Sequence, residues 1–239
     1  GIISCQVFEK ELAHLLDAEE RIVRIYALPT VENIGFNIFL KKRNIEFVRD
    51  LGDLEDDEEL DAIVEIMPIG LHVDIQDLII KRKERIDLLK EHCDSVLIFY
   101  GLCGDSMEKV FNRDDVRLIA PKDELSIVDD CICSVLGRAE YLRQLKNLGS
   151  LFLIPGFALH QEEMRKMVVG PKRQVDAMRM VLEAAGYRRT MLVDHDLWND
   201  EERELASRYS AELGLPMECT RGSIDILLSC FKEAVDSVL

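Results

Sequence analysis

Seven cysteines, Cys5, Cys93, Cys103, Cys131, Cys133, Cys219 and Cys230, are the residues of this chain best equipped for chemistry, since thiolates bind soft metals and attack electrophiles. Three of them fall where a parallel α/β sheet collects ligands, beyond the carboxyl ends of its strands. Cys5 follows an apolar first strand, Cys103 stands in Tyr100-Gly101-Leu102-Cys103-Gly104 after another, and Cys131 lies at the start of a helix opened by Asp129-Asp130. Neighbouring strands lie about 4.8 Å apart and a zinc–sulfur bond spans about 2.3 Å, so short loops can bring three such sulfurs to one centre. Gly101 and Gly104 let the backbone approach a ligand closely, and a helix N-terminus lowers the pKa of a thiol such as Cys131. From Cys5 to Cys103 is 98 residues and from Cys103 to Cys131 is 28, which matches no local zinc-finger or ferredoxin spacing. The alternative reading is that these cysteines are small buried hydrophobes.

The remaining candidates are weaker. Cys133 does not share a helix face with Cys131 and is expected in the core, while Cys219 is the other cysteine at a plausible ligand edge. His72, ahead of a helix, is a candidate fourth ligand or a partner for a thiolate. Asp194-His195-Asp196 ends a strand and has the composition of a metal or proton-transfer cluster, but is expected to be an exposed turn before the next helix. His160 follows Pro155-Gly156-Phe157 near the same edge, and His14 and His92 sit among charges and are expected in solvent. No phosphate-binding glycine loop and no Gly-x-Ser-x-Gly elbow occurs, which sets nucleotide-dependent and serine-hydrolase chemistry aside.

Short β-rich runs alternate with helical periods, as the placement of these residues requires. Strands are expected at Ile2 to Ser4, Arg21 to Leu28, Ile45 to Val48, Ser95 to Tyr100, Val116 to Ala120, Leu151 to Ile154, Thr190 to Val193 and Met217 to Cys219. Helices are expected from Phe8, at Val31 to Lys42, Val73 to Glu91, Asp130 to Leu148, Ala158 to Val168, Pro171 to Ala185, Asp200 to Leu213 and Ser223 to Val235. The acidic run Asp53 to Asp61 is expected to start a solvated helix. The class is α/β, with one or more parallel sheets and flanking helices, read as a single unit over residues 1–239 with a sub-domain boundary near Gly149 between two Rossmann-like halves. The 239 residues carry a net charge of -16, which argues against nucleic acid and anionic membrane as partners. No apolar run reaches the roughly 18 residues of a membrane span, and no signal-like start is present, so a cytoplasmic location is expected.

These motifs together resemble the domain of unknown function 1638 family: a Cys after the N-terminal strand, Leu71-His72, Tyr100-Gly101-Leu102-Cys103-Gly104, Asp130-Cys131-Ile132 with Leu136-Gly137, and Leu153-Ile154-Pro155-Gly156-Phe157. Residues from about Ile25 to Glu65 read as an added or divergent segment. Phe157 stands where the resemblance leads one to expect Trp, and Ser126-Ile127-Val128-Asp129 where it leads one to expect an Arg-His-like element. The resemblance implies a setting in anaerobes beside corrinoid-dependent methyl transfer and one-carbon metabolism, with corrinoid or methyltransferase proteins as partners, and it selects the same three cysteines. The expected function is therefore a cysteine-ligated metal centre, iron–sulfur ahead of zinc, held by Cys5, Cys103 and Cys131 with His72 as a further ligand. The alternatives are a metal-free small-molecule binding or regulatory module and a cysteine-nucleophile enzyme using Cys103 with His72 as base; a homo-oligomer is compatible with each.

Overall fold

The computed structural model describes residues 1–239 apart from 55–57, 104–110, 112–113, 147–148 and 171–174, together with the side chains of 72 and 73. Its first half is a parallel six-stranded sheet. In chain order the strands are β1 (Ile2–Cys5), β2 (Ile25–Ala27), β3 (Ile45–Phe47), β4 (Ala62–Met67), β5 (Ser95–Phe99) and β6 (Arg117–Ile119). They lie in the order β3-β2-β4-β1-β5-β6. This is the Rossmann-like α/β class expected from the alternation. The central strands β1, β4 and β5 are buried along their whole length, because helices cover both faces of a parallel sheet.

The sequence reading missed β4, although it pairs with β1 in the middle of the sheet. Glu65 interrupts its apolar run, yet that carboxyl is buried beside Arg85 and Asn33, and burial raises its pKa. Other expectations were too long. Of Arg21 to Leu28 only Ile25–Ala27 pairs, and Val31 to Lys42 is one helix, α2 (Val31–Phe36), followed by a 3-10 turn at Asn37–Phe39. The helix expected from Asp130 to Leu148 is broken at Gly137, whose φ of 72° is open to glycine, into α4 (Cys131–Leu136) and α5 (Arg138–Lys146). The other helices of this half are α1 (Glu9–Ala18), whose buried Leu12, Leu15 and Leu16 form the expected apolar face, and α3 (Ile75–Leu89), capped by Asp74.

After Gly149 a second parallel sheet begins, in the order β7 (Ser150–Leu153), β8 (Arg189–Asp194) and β9 (Met217–Arg221). Its helices are α6 (Pro155–Leu159), α7 (Gln161–Val169), α8 (Val175–Ala184) and α9 (Asp200–Leu213), the last opened by an Asn199–Glu202 capping box. The final helix, α10 (Asp225–Asp236), joins the first sheet's core through Leu227, Cys230 and Phe231.

Three consecutive residues of α1 reach the second sheet's segments. Glu9 meets His160 Nε2 at 2.7 Å, Lys10 meets both oxygens of Glu202 and the Leu197 carbonyl, and Glu11 faces His195 Nε2 at 2.8 Å. His195 is thus buried, not in the exposed turn expected for Asp194-His195-Asp196; Asp194 and Asp196 pair instead with Arg203 and Arg221. Among the described residues no helix is long and apolar enough to cross a membrane.

Candidate metal centre

The sheet order places β1 between β4 and β5, so the segments leaving these three strands gather at one rim. The β1–β5 register pairs Ser4 with Phe99, which sets Cys5, the last residue of β1, level with Tyr100. Edge-on packing of Phe8 against Phe99, ring centroids 5.5 Å apart, holds the turn after β1 over β5. From Tyr100 the chain runs beside residues 128–131: Leu102 N–H donates to the Val128 carbonyl and Cys103 N–H to the Asp129 carbonyl, both at 2.9 Å. Gly101 makes this pairing possible, since a Cβ there would lie 2.2 Å from the Asp130 carbonyl carbon. Cys103 takes a positive φ of 49°, a conformation rare outside glycine, as it turns toward Cys131.

Cys131 is the first residue of α4, and Asp130 fixes that end. One Asp130 carboxylate oxygen accepts from Cys133 N–H at 2.7 Å and the other from the Tyr141 hydroxyl. With both oxygens thus engaged, Asp130, which also lines the cavity shared by the three cysteines, orients the start of the helix that carries Cys131. Its pKa is raised, burial outweighing these hydrogen bonds.

The outcome is that three cysteines from distant segments share one cavity. Cys103 Sγ lies 4.0 Å from Cys131 Sγ, and Cys131 is also in side-chain contact with Cys5. All three line a cavity of about 350 Å³ whose other walls include Val7, Pro68, Ile69, Ile132 and Phe157. Phe157 comes from the second sheet's α6, where Gly156 packs so closely on the Val7 carbonyl that a Cβ would sit 2.1 Å from its oxygen. Gly101 is therefore a backbone-contact residue rather than part of the cavity lining, and Gly104 lies outside the described residues. His72 falls in the 3-10 turn Ile69–Val73, with its side chain outside the described residues.

The thiol chemistry differs from the expectation in one respect. The helix end was expected to lower the pKa of Cys131, but it stands well above the ordinary range: contact with Cys103 lowers it, and contact with Cys5, burial and the neighbouring sulfur outweigh that. Cys103 is raised too, by its contact with Cys131 and by burial, although Arg82 acts in the opposite direction. The raised values favour the protonated thiols, and a cation bound there would have to displace their protons.

Two thiolates on one tetrahedral zinc ion with bonds of about 2.3 Å lie roughly 3.8 Å apart. The 4.0 Å Cys103–Cys131 separation is close to that value. Among the described residues no three His, Cys, Asp or Glu side chains are arranged as a ready-formed ion site, so the thiols must turn from their mutual contacts toward a common centre. The donor set fits a soft cation in character and proximity.

The other cysteines do not join this cluster. Cys133 and Cys230 are buried in the core, Cys219 is exposed on β9, and Cys93 lies at the opposite, amino-terminal edge of the first sheet. That edge carries a larger hollow of about 770 Å³, where the Gly1 amino group donates to the Ser95 carbonyl, but Cys93 is the single cysteine lining it. His160, paired with Glu9, lies beside the site rather than in the cavity wall, and His14 and His92 are exposed as expected.

Two residues at the site were not anticipated from sequence. Tyr100 lines the cavity with a fully buried hydroxyl, and Arg82 of α3 stacks its guanidinium over the Tyr100 ring, 4.1 Å from the centroid. The signal for Arg82 was present: Leu78, Arg82, Ile86 and Leu89 share one helical face, and all four are buried.

No curated protein and no solved structure matches the chain. A family model, described as protein of unknown function (DUF1638), matches residues 66–231, a span that includes Cys103 and Cys131 and leaves Cys5 outside. Matched over more than half its length, the chain belongs to the DUF1638 family.

Proposed function

We propose that this chain binds a metal ion through Cys5, Cys103 and Cys131, and that it acts in the cytoplasm beside corrinoid-dependent methyl transfer or related one-carbon metabolism, with corrinoid or methyltransferase proteins as partners. The observation that carries the metal reading is the convergence of three thiols, with Cys103 and Cys131 4.0 Å apart. That separation favours a single tetrahedral ion such as zinc over a four-iron cluster, in which each thiolate meets a different iron. Three protein ligands leave one position open toward the apolar cavity. A zinc ion there would supply Lewis acidity, activating a substrate thiol or water.

The chain's own residues have defined parts. Asp130 and Gly101 hold Cys131 and Cys103 in register. Val7, Ile69, Ile132 and Phe157 keep the open side dry and favour a small substrate with an apolar body. The apolar cavity also supports a second reading, a metal-free small-molecule binding module. The raised pKa of Cys103 opposes its use as a free nucleophile, which needs the thiolate.

The test is anaerobic purification followed by metal and sulfide analysis. About one metal per chain without acid-labile sulfide, lost in Cys103→Ser, is the expected result. A metal-free protein that also fails to take up zinc, cobalt or iron overturns the proposal in favour of the small-molecule module.

A further inference from the structure

The cavity beside the three thiols is walled almost wholly by uncharged groups. Val7, Ile69, Ile132 and Phe157 supply apolar surface, Tyr100 adds one neutral hydroxyl, and Asp130 brings a carboxyl; among the described residues no Lys, Arg or His lines it. Both Asp130 oxygens are already taken by Cys133 N–H and the Tyr141 hydroxyl. The buried Arg82 guanidinium, stacked on the Tyr100 ring, is not part of the wall. An anionic group entering this space would lose its hydration, and no described wall residue offers it a cation in exchange.

The mouth selects in the same direction. Ile75, the first residue of α3, lines the cavity yet is 41% exposed, so it stands where the cavity meets solvent. Asp74 and Asp77 flank it in the chain as exposed carboxylates, and the chain as a whole carries a net charge of -16. An approaching anion therefore meets a negative field before it meets the apolar wall.

At about 350 Å³ the cavity lies near the lower end of small-ligand sites. Three thiolates make a soft centre, whose open position suits a further sulfur donor. We propose that the ligand of this cavity is a short alkyl thiol with an uncharged tail, its sulfur taking the open position as its proton leaves to solvent, and that Ile75 with its flanking carboxylates turns anionic tails away. The inference rests on the metal reading above and names the substrate class of that same site. Three thiolates on a divalent cation leave a single net negative charge, and the sulfur of a bound thiol makes it two. A carboxylate tail would make it three, with no balancing cation among the described wall residues.

The experiment adds 1-propanethiol or 3-mercaptopropionate, thiols of similar length that differ in tail charge, to the cobalt(II)-loaded protein under anaerobic conditions. Thiolate-to-cobalt charge-transfer absorption reports a fourth sulfur, for the parent and for Ile75→Lys. In the parent, 1-propanethiol should raise this absorption and bind about tenfold or more tightly than 3-mercaptopropionate, because the carboxylate must be desolvated without a partner. Ile75→Lys, a change at an exposed position, should keep the unfolding midpoint and cobalt affinity of the parent while narrowing the gap between the two thiols. No spectral response to 1-propanethiol, 3-mercaptopropionate binding within threefold of it in the parent, or a gap that Ile75→Lys leaves unchanged overturns the assignment. If Ile75→Lys does not fold, the comparison in the parent decides. A parent that binds no cobalt overturns the metal reading and this inference with it, whereas a cobalt-loaded parent indifferent to tail charge overturns only the inference.

Discussion

Replacing Gly101 by alanine should separate the two strands of chain that carry Cys103 and Cys131. The added methyl would lie 2.2 Å from the Asp130 carbonyl carbon, 2.4 Å from its Cα and 2.5 Å from its oxygen, all backbone atoms that cannot swing away. Carbon atoms in contact sit about 3.5 to 4.0 Å apart, so the segments must part by more than an ångström. Such a shift stretches the Leu102–Val128 and Cys103–Asp129 backbone bonds, now both 2.9 Å. Two weakened hydrogen bonds at about 1 kcal/mol each, added to an overpacking cost of about 1 to 3 kcal/mol, give a loss of roughly 3 to 5 kcal/mol. For a chain of this size that is a fall in Tm on the order of 10 °C. Urea unfolding would measure it as a lower midpoint at unchanged slope, and a metal titration of the folded variant should show at least tenfold weaker binding as Cys103 moves away from Cys131. An alanine variant within about 0.5 kcal/mol of the parent, binding metal equally well, would refute the argument that this backbone approach builds the site.

Other substitutions separate the site from its surroundings. Cys131→Ser should abolish stoichiometric metal binding, whereas Cys133→Ser, two residues on but facing the core, should retain the metal and lose only stability, as equilibrium dialysis and urea melts would show. Metal affinity should rise with pH: the folded thiols of Cys103 and Cys131 titrate above their ordinary range, so protons compete with the cation at neutral pH, and each displaced proton contributes up to about tenfold per pH unit. Isothermal titrations between pH 6 and 8 would check it, and a flat profile would count against thiol ligation. Lys10→Met should cost about 2 kcal/mol or more, because it leaves the buried Glu202 carboxylate without its cation and frees the Leu197 carbonyl; a urea midpoint equal to the parent's would contradict the role given to that tie.

The order of strands and helices was legible because apolar periodicity is local, and so was the position of each thiol relative to a strand end. Cys5, Cys103 and Cys131 could be singled out from seven cysteines on that ground, and burial of Cys133 followed from helical phase. Distances between segments were another matter. That β4 enters beside β1 depends on a buried Glu65 finding Arg85 and Asn33, and that His195 is buried depends on Glu11 of a helix 184 residues earlier in the chain. The pKa of Cys131 was misjudged for the same reason, since contact with Cys103 lowers it but contact with Cys5 and the loss of water outweigh that. By itself the sequence determined which side chains a parallel α/β sheet delivers to its carboxyl rim. Only the tertiary structure decided that three of them meet, with Arg82 and Tyr100 behind them, because contact and desolvation depend on residues far apart in the chain and both set the charge a side chain carries.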